Sequence, residues 1–266
     1  MAEYIRTYSY DDFPYLSIVL DCIQSNKSLR DVSYLDTSLV TKYLGGDCTQ
    51  LSNHFAKTVL EPLTLEWKWL VSTDDKYRSS YKHRLIPFRS TAIKVEVPGA
   101  GEHDSFYCGV ALGHQRPIRI ADGVSDNFWG KSYSIEVLSE TTFRLHTKGK
   151  RINRYREYLQ PLFIDFESAW ENMVYVKDTY SIVAYHTGVR HYLGYNLPQN
   201  RVYYTLRSAR LRSKPLAAFL LEAEKHYEQF VAQIRSEHAL ETIRRLIRQR
   251  DALNRFVIQR TSEQIP

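Results

Sequence analysis

The sequence predicts an α+β protein whose centre is an antiparallel β sandwich or barrel-like core, with a helical N-terminal segment and a long C-terminal helix or helical hairpin. Three observations carry that expectation. Apolar residues recur at helical spacing in roughly the first 60 residues. The middle of the chain alternates apolar and polar residues at period two, punctuated by turn residues. After residue 211 the apolar period returns to fours and threes. The expected organisation is therefore a helical segment over 1–60, a β core over 61–211 and a basic amphipathic helical part over 212–266.

In the first part, Asp12 with Pro14 in the first turn opens a helix whose stripe is Leu16, Val19, Leu20 and Ile23. A second helix starts near Thr37 and stops at Gly45-Gly46. Asp47, with Gln50 three residues on, opens a third with Leu51, Phe55 and Val59 inward. In the middle part, Leu63, Leu65, Trp67 and Trp69 alternate with Thr64, Glu66 and Lys68 as a half-buried strand. "AIKVEV" and "SFYCGVALG" form a hairpin across the turn "PGAGEHD", and "SYSIEVL" and "FRLHTK" form a second. "MVYV" and "YSIVAYH" form a third, "RVYYTLR" adds a strand, and a short helix over "PLFIDFESAWEN" interrupts the series. In the last part, Leu216, Leu220, Ala223, Tyr227, Phe230 and Ile234 make a heptad seam. The seam loses phase at Ser236–His238 and resumes at Leu240, Ile243, Ile247, Leu253 and Val257. That pattern fits one helix with a phase shift, or two that fold back.

Composition excludes some classes. The 266 residues are 43% hydrophobic and 25% charged, ordinary values for a globular chain. There is no apolar run of transmembrane length, and the start lacks the basic-then-apolar pattern of a signal peptide. Cys22, Cys48 and Cys108 are scattered without zinc-ligand spacing, so a reducing intracellular setting, in the cytoplasm or in a virion, is expected, with no metal and no cofactor. The net charge is +6. Residues 201–266 hold 13 Lys/Arg against 7 Asp/Glu, leaving 23 of each sign in residues 1–200, so the whole excess sits in the last quarter. That asymmetry points to an acidic partner.

Two basic clusters give this expectation its residues. In "ETIRRLIRQRDALNRF" (241–256), Arg244, Arg248 and Arg255 share one side of a helix and Arg245 lies beside them. Arg250 projects into the apolar arc, where an unpaired charge is costly, so it is expected to be paired or to reach across an interface. Glu241 and Asp251 stand four residues before Arg245 and Arg255, in the orientation that favours intrahelical pairs and a merely solvated face. In "RLHTKGKRINRYREY" (144–158), Lys148, Lys150, Arg151, Arg154 and Arg156 are interleaved with Tyr155 and Tyr158, the mixture that single-stranded nucleic acid takes. The expected function is accordingly non-enzymatic binding and assembly, as in a viral or phage structural or nucleic-acid-associated protein. The nucleic acid would meet these two clusters, and self-association into a homo-oligomer would run through Leu216, Leu220, Tyr227, Phe230, Ile234 and Arg250.

Two further stretches carry local resemblances. "TSLVTKYLGGDCTQLSNHFAK" resembles a helix-turn-helix with Gln50, Ser52, Asn53, His54 and Lys57 facing a groove, but Thr41, His54 and the second glycine depart from that pattern, and a packed helix pair is the plainer reading. Glu66-x-Lys68 on a strand resembles the tail of a PD-(D/E)xK nuclease motif, which implies as an alternative a metal-dependent nuclease with a nearby acid such as Asp74, Asp75, Asp165, Glu167 or Glu171. The remaining alternative is a protein-interaction module whose arginines meet an acidic surface such as residues 161–178.

Overall fold

The computed structural model describes residues 1–73, 90–98, 103–128, 130–150, 152–176, 178–186, 189–205, 211–234 and 236–264. The chain opens with α1 (Ala2–Thr7), β1 (Ser9–Asp11), α2 (Phe13–Ser25), α3 (Thr37–Tyr43), the two-residue strand β2 (Gly45–Gly46) and α4 (Cys48–Phe55), which runs on through a π turn at Ala56–Leu60. Strands follow: β3 (Glu66–Thr73), β4 (Ser90–Pro98), β5 (His103–Cys108), β6 (Ile118–Arg119), β7 (Ser125–Phe128), β8 (Lys131–Ser139), β9 (Thr142–Gly149) and β10 (Ile152–Leu159). After α5 (Phe166–Val176) come β11 (Thr179–His186), β12 (Val189–Asn196), β13 (Arg201–Tyr204) and β14 (Arg212–Pro215), then α6 (Leu216–Lys225), α7 (Tyr227–Ile234) and α8 (Glu237–Gln264). The mixed α+β class and the antiparallel sheets are as the sequence predicts.

Contacts divide the chain into two compact units, one of residues 1–5 and 48–166, the other of 6–47 and 167–266. The first is built on an eight-stranded sheet in the order β6-β5-β4-β3-β10-β9-β8-β7. The segment joining its two edge strands nearly closes it into a barrel. Arg119 pairs with Phe106 on β5 and Ile120 N–H donates to the Ser105 carbonyl, while Gly123 and Val124 exchange hydrogen bonds with Ile135 on β8. Strand alternation fills the interior with Leu70, Ala92, Tyr107, Phe128, Ile135, Phe143, Leu145 and Tyr158. The opposite face of β4 carries Thr91 and Ile93, and α4 packs on that strand and on a 3-10 turn at Val110–Leu112. That turn ends β5 at Cys108, where the sequence predicts strand as far as Leu112.

The second unit holds the sheet β14-β13-β12-β11-β1-β2, in which the one parallel pair is β1 with β2. Gly45 makes that pair feasible, because a Cβ there would lie 2.9 Å from both the Asp11 Cβ and the Ser9 carbonyl. Asp12 does not cap α2; its carboxylate accepts from the Ser181 N–H at 3.0 Å and ties the helix start to β11. The expected strand "MVYV" belongs to α5. Trp170 and Met173, three apart, pack into the core, and this face carries the helix to Val176. β11 pairs instead with β12 and β1.

Among the described residues the C-terminal chain is three helices, broken at His226 and at Ser236, where the sequence predicts one helix with a phase shift or two that fold back. Its seam closes on the unit's own interior. Leu216, Leu220, Phe230 and Ile234 join Phe13, Leu16, Ile182, Leu193 and Val202 in one cluster, and Leu240, Ile243, Leu246 and Leu253 complete it. The seam is therefore covered within the chain, which removes the ground for reading it as an oligomerisation face. Tyr227 and Ile247 are the exposed members, and the Val257 side chain lies outside the described residues. No helix among the described residues is long and apolar enough to cross a membrane.

Candidate active site

Cys48 is the first residue of α4. The chain reaches it through β2 and Asp47, whose carboxylate accepts the Tyr34 hydroxyl at 2.5 Å. Of the three cysteines, Cys48 is the partly exposed one; Cys22 and Cys108 are buried. Burial pushes the Cys108 thiol up to about 12. Burial, then the charges of Asp21 and Asp31, push Cys22 up as well, and its sulfur lies 4.0 Å from the Ser28 carbonyl. Both are inert core thiols. A thiol that starts a helix sits instead at the positive end of the peptide dipoles, which favours its thiolate.

Among the described residues, hydroxyls of α4 and β4 lie about this position. The Thr49 hydroxyl lies 4.0 Å from the Cys48 sulfur and accepts from Thr91 on β4 at 3.1 Å. Ser90, the neighbour of Thr91, is 2.8 Å from Ser72 and accepts from the Arg156 guanidinium of β10 at 3.3 Å. Burial would lower the Arg156 pKa, but Tyr158, Tyr107 and Cys48 outweigh it and hold the guanidinium charged. No carboxylate forms an ion pair with Arg156 among the described residues. Deeper in the barrel the Tyr107 hydroxyl donates to Tyr158 at 3.0 Å, and Phe143 stacks on Tyr158. Gly109 and His114 adjoin Tyr107; both His114 ring nitrogens are buried and unpaired.

The other two histidines of this unit with described side chains are engaged elsewhere: His54 with the Tyr4 hydroxyl at 3.0 Å, His146 with Glu136 at 2.9 Å. Among the described residues no group of three or more His, Cys, Asp or Glu is placed to hold a metal. The arrangement is suited to nucleophilic chemistry by a thiolate at a helix start, with hydroxyl dipoles beside it.

The residues singled out from the sequence lie elsewhere. The two basic clusters fall in different units. Arg244 pairs with Glu224 and Glu241, and Arg248 with Glu241. Arg245 is drawn onto α2, where it bonds Asp21 at 2.6 Å and Ser17 at 3.0 Å; Arg255 is exposed. Arg250 lies near Tyr195 of its own unit, and its Nε is buried with no hydrogen-bond partner among the described residues. The 144–158 cluster is the β9–β10 hairpin rather than a strand running into a loop. Its alternation sends Arg156 and Tyr158 inward while Tyr155 lies outside under Arg144. Lys148, Lys150 and Arg154 are exposed, and Arg151 lies outside the described residues.

The helix-turn-helix reading fails on burial, since Gln50, Ser52, Asn53 and His54 are all inside. Lys68 of the nuclease reading pairs with Glu96 across the sheet surface and Glu66 is exposed beside it; Asp74 and Asp75 lie outside the described residues. Cys48 was not singled out. Its signal was its place one residue past a predicted helix cap, after two glycines.

No protein-family model matches the sequence, and no curated protein does. Solved structures do match. An arylamine N-acetyltransferase from Mycobacterium marinum, in complex with CoA, superposes with a TM-score of 0.56 at 11% identity, over 91% of this chain and 89% of that one. The arylamine N-acetyltransferase of Salmonella typhimurium gives 0.54 at 10% identity over 85% and 81%. One from Bacillus cereus, described as having a unique Cys-His-Glu catalytic triad, gives 0.52 at 9% over 83% and 85%. These matches overturn the expectation of a nucleic-acid-binding assembly protein of viral structural type, together with its nuclease and interaction-module alternatives: the architecture is one that solved acyltransferases carry. At this level of identity the likeness establishes one thing, that the chain has the fold of the arylamine N-acetyltransferases.

Proposed function

We propose that the protein is an acyltransferase that carries the acyl group on Cys48. The observation that supports this most is the selection among its thiols. In a fold whose solved examples include an enzyme with a catalytic cysteine, two of the three cysteines are sealed in cores, and the third is partly exposed and opens a helix beside the Thr49 hydroxyl. The Cys48 thiolate attacks the carbonyl carbon of an acyl thioester. The carbon–sulfur bond to the donor breaks, and the donor's thiolate leaves and takes up a proton. An amine then attacks the Cys48 thioester, the Cys48 thiolate departs, and the amine nitrogen loses its proton to water. The transfer is thus two nucleophilic substitutions through a covalent intermediate. The CoA complex of the Mycobacterium marinum protein supports acyl-CoA as the donor, and the names of the neighbours support an aromatic amine as acceptor. The described surroundings of Cys48 differ from the Cys-His-Glu triad named for the Bacillus cereus protein in that the Thr49 hydroxyl lies 4.0 Å from the Cys48 sulfur and accepts from Thr91.

Acetyl transfer from acetyl-CoA to a panel of aromatic amines tests the proposal. Cys48→Ala is expected to abolish turnover and Cys22→Ala to retain it. Turnover that survives Cys48→Ala would remove Cys48 from the reaction.

A further inference from the structure

Cys48 opens α4, and its sulfur lies 4.0 Å from the Thr49 hydroxyl. Successive side chains on a helix do not face each other, so this contact depends on how the Thr49 rotor is set. It is set from outside the helix. Thr91 of β4, 42 residues away in sequence, donates to the Thr49 hydroxyl at 3.1 Å. Thr91 is itself fixed, since β4 runs between β3 and β5 and pairs Thr91 with Val71. Both threonines are buried, while Cys48 is partly exposed.

A hydroxyl carries one proton. Thr91 gives its proton to Thr49, so the Thr49 hydroxyl meets β4 as an acceptor and turns its own proton away from that strand. A thiol at Cys48 can give or take a proton across the 4.0 Å contact, whereas a thiolate can only accept. Ionisation therefore settles the direction, and Thr49 donates to the sulfur. A hydrogen bond to the charged form of a group lowers its pKa, and a hydroxyl that already accepts a bond is the stronger donor.

We propose that Thr91 is a positioning residue for the nucleophile: by donating to Thr49 it directs the Thr49 proton onto the Cys48 sulfur and favours the thiolate. The proposal deepens the acyltransferase reading and rests on it for the purpose of that thiolate, but the hydrogen bond is measurable without any acyl transfer. The thiol proton goes to water, since both hydroxyls keep theirs. The same donor meets the sulfur again when it leaves the thioester.

Charged and titratable groups on the surrounding elements are engaged elsewhere. Asp47 precedes Cys48 and opposes the thiolate, but its carboxylate accepts from Tyr34. His54, in the last turn of α4, is held against Tyr4, and burial lowers its pKa. Lys57, in the π turn that follows, pairs with Glu61. The turn packed on α4, Val110–Leu112, has no ionisable side chain, and Cys108 of β5 stays protonated. On β4 itself Lys94 and Glu96 alternate to the face opposite Thr91 and pair with each other. Arg156 of β10 bonds Ser90 on that opposite face, and none of the variants below alters it.

The test is the rate of Cys48 alkylation by iodoacetamide as a function of pH, read by peptide mass on the full chain. The unmodified protein is expected to show a midpoint below the ordinary thiol value of about 8.5. Thr91→Val removes the donor and keeps the branching. It is expected to raise the midpoint by about half a unit or more, which slows alkylation below the midpoint about threefold. Thr49→Val is expected to do at least as much, and Thr91→Ser, which keeps a hydroxyl, to hold the midpoint of the unmodified protein. A purely structural contact would lower the melting temperature of Thr91→Val and leave its midpoint in place. An unchanged midpoint in folded Thr91→Val overturns the proposal, and so does a Thr91→Ser that shifts as far as the valine variant. A midpoint at or above the ordinary thiol value in the unmodified protein overturns it whether or not any variant folds. A low, threonine-dependent midpoint in a protein that transfers no acyl group would sustain the hydrogen bond and sink the acyltransferase reading. Acyl transfer through Cys48 with a midpoint indifferent to both threonines would do the reverse.

Discussion

At the scale of single residues, the barrel interior is most exposed to test at His114. Its ring lies edge-on to Tyr107, Phe128 and Tyr133, with centroids 4.6–5.3 Å away. Burial first, then the charges of Lys131 and Arg156, push its pKa from 6.5 down to about 3. The folded state therefore keeps it neutral, while the unfolded chain takes up a proton below pH 6.5. Its contribution is whole above pH 6.5 and is lost as pH falls toward 3, at up to about 1.4 kcal/mol per unit. His114→Phe is expected to remove that slope and to raise stability between pH 4 and 6, because it also removes two unpaired nitrogens from the core. Denaturant unfolding at several pH values checks this, and an unchanged slope would mean that the ring is hydrated. Gly109 is the neighbouring constraint. A Cβ there would stand 2.5 Å from the Tyr107 hydroxyl and 2.9 Å from the His114 Nδ1. Gly109→Ala should therefore cost about 1–3 kcal/mol, measured the same way.

At the scale of elements, α6 to α8 are held by their apolar stripe and not by their charge. Phe230 is fully buried, 5.8 Å from the Phe219 ring centroid, and its truncation to Ala should cost about 3–5 kcal/mol. Replacing Arg244 and Arg248 by Gln should change stability by less than about 1 kcal/mol per pair, because their partners are surface carboxylates. Thermal unfolding of the three variants distinguishes the two contributions. The same elements show what was legible beforehand. Period two revealed the β4–β5 and β8–β9 hairpins, and period 3.6 revealed α2 and α8, because each pattern records directly which face is buried. It does not record what buries that face. The seam from Leu216 to Ile234 reads identically whether its cover is a second chain or its own sheet. "MVYV" reads as strand from its β-branched and aromatic residues, and Trp170 and Met173 overrule it through packing. Arg156 was visible as a charge in a basic run. That it lies on the inner face with Tyr158, while Tyr155 lies outside, follows from strand alternation once the run is recognised as β10. Cys48 is not legible from sequence alone because Thr91, which bonds its neighbour Thr49, is brought there by the barrel and stands far from it in sequence.

At the scale of the whole molecule, the chain has the fold of the arylamine N-acetyltransferases, and Cys48, Thr49 and Thr91 belong to its first unit. The account stands on one covalent event, the transfer of an acyl group to Cys48. The direct measurement is the intact mass of the protein after mixing with acetyl-CoA in the absence of any amine, followed by peptide mapping. The account predicts one added acetyl group, located on Cys48, absent in Cys48→Ala and released when an aromatic amine is supplied. A protein that gains no acetyl group from the donor, or gains the same adduct in Cys48→Ala, would contradict it.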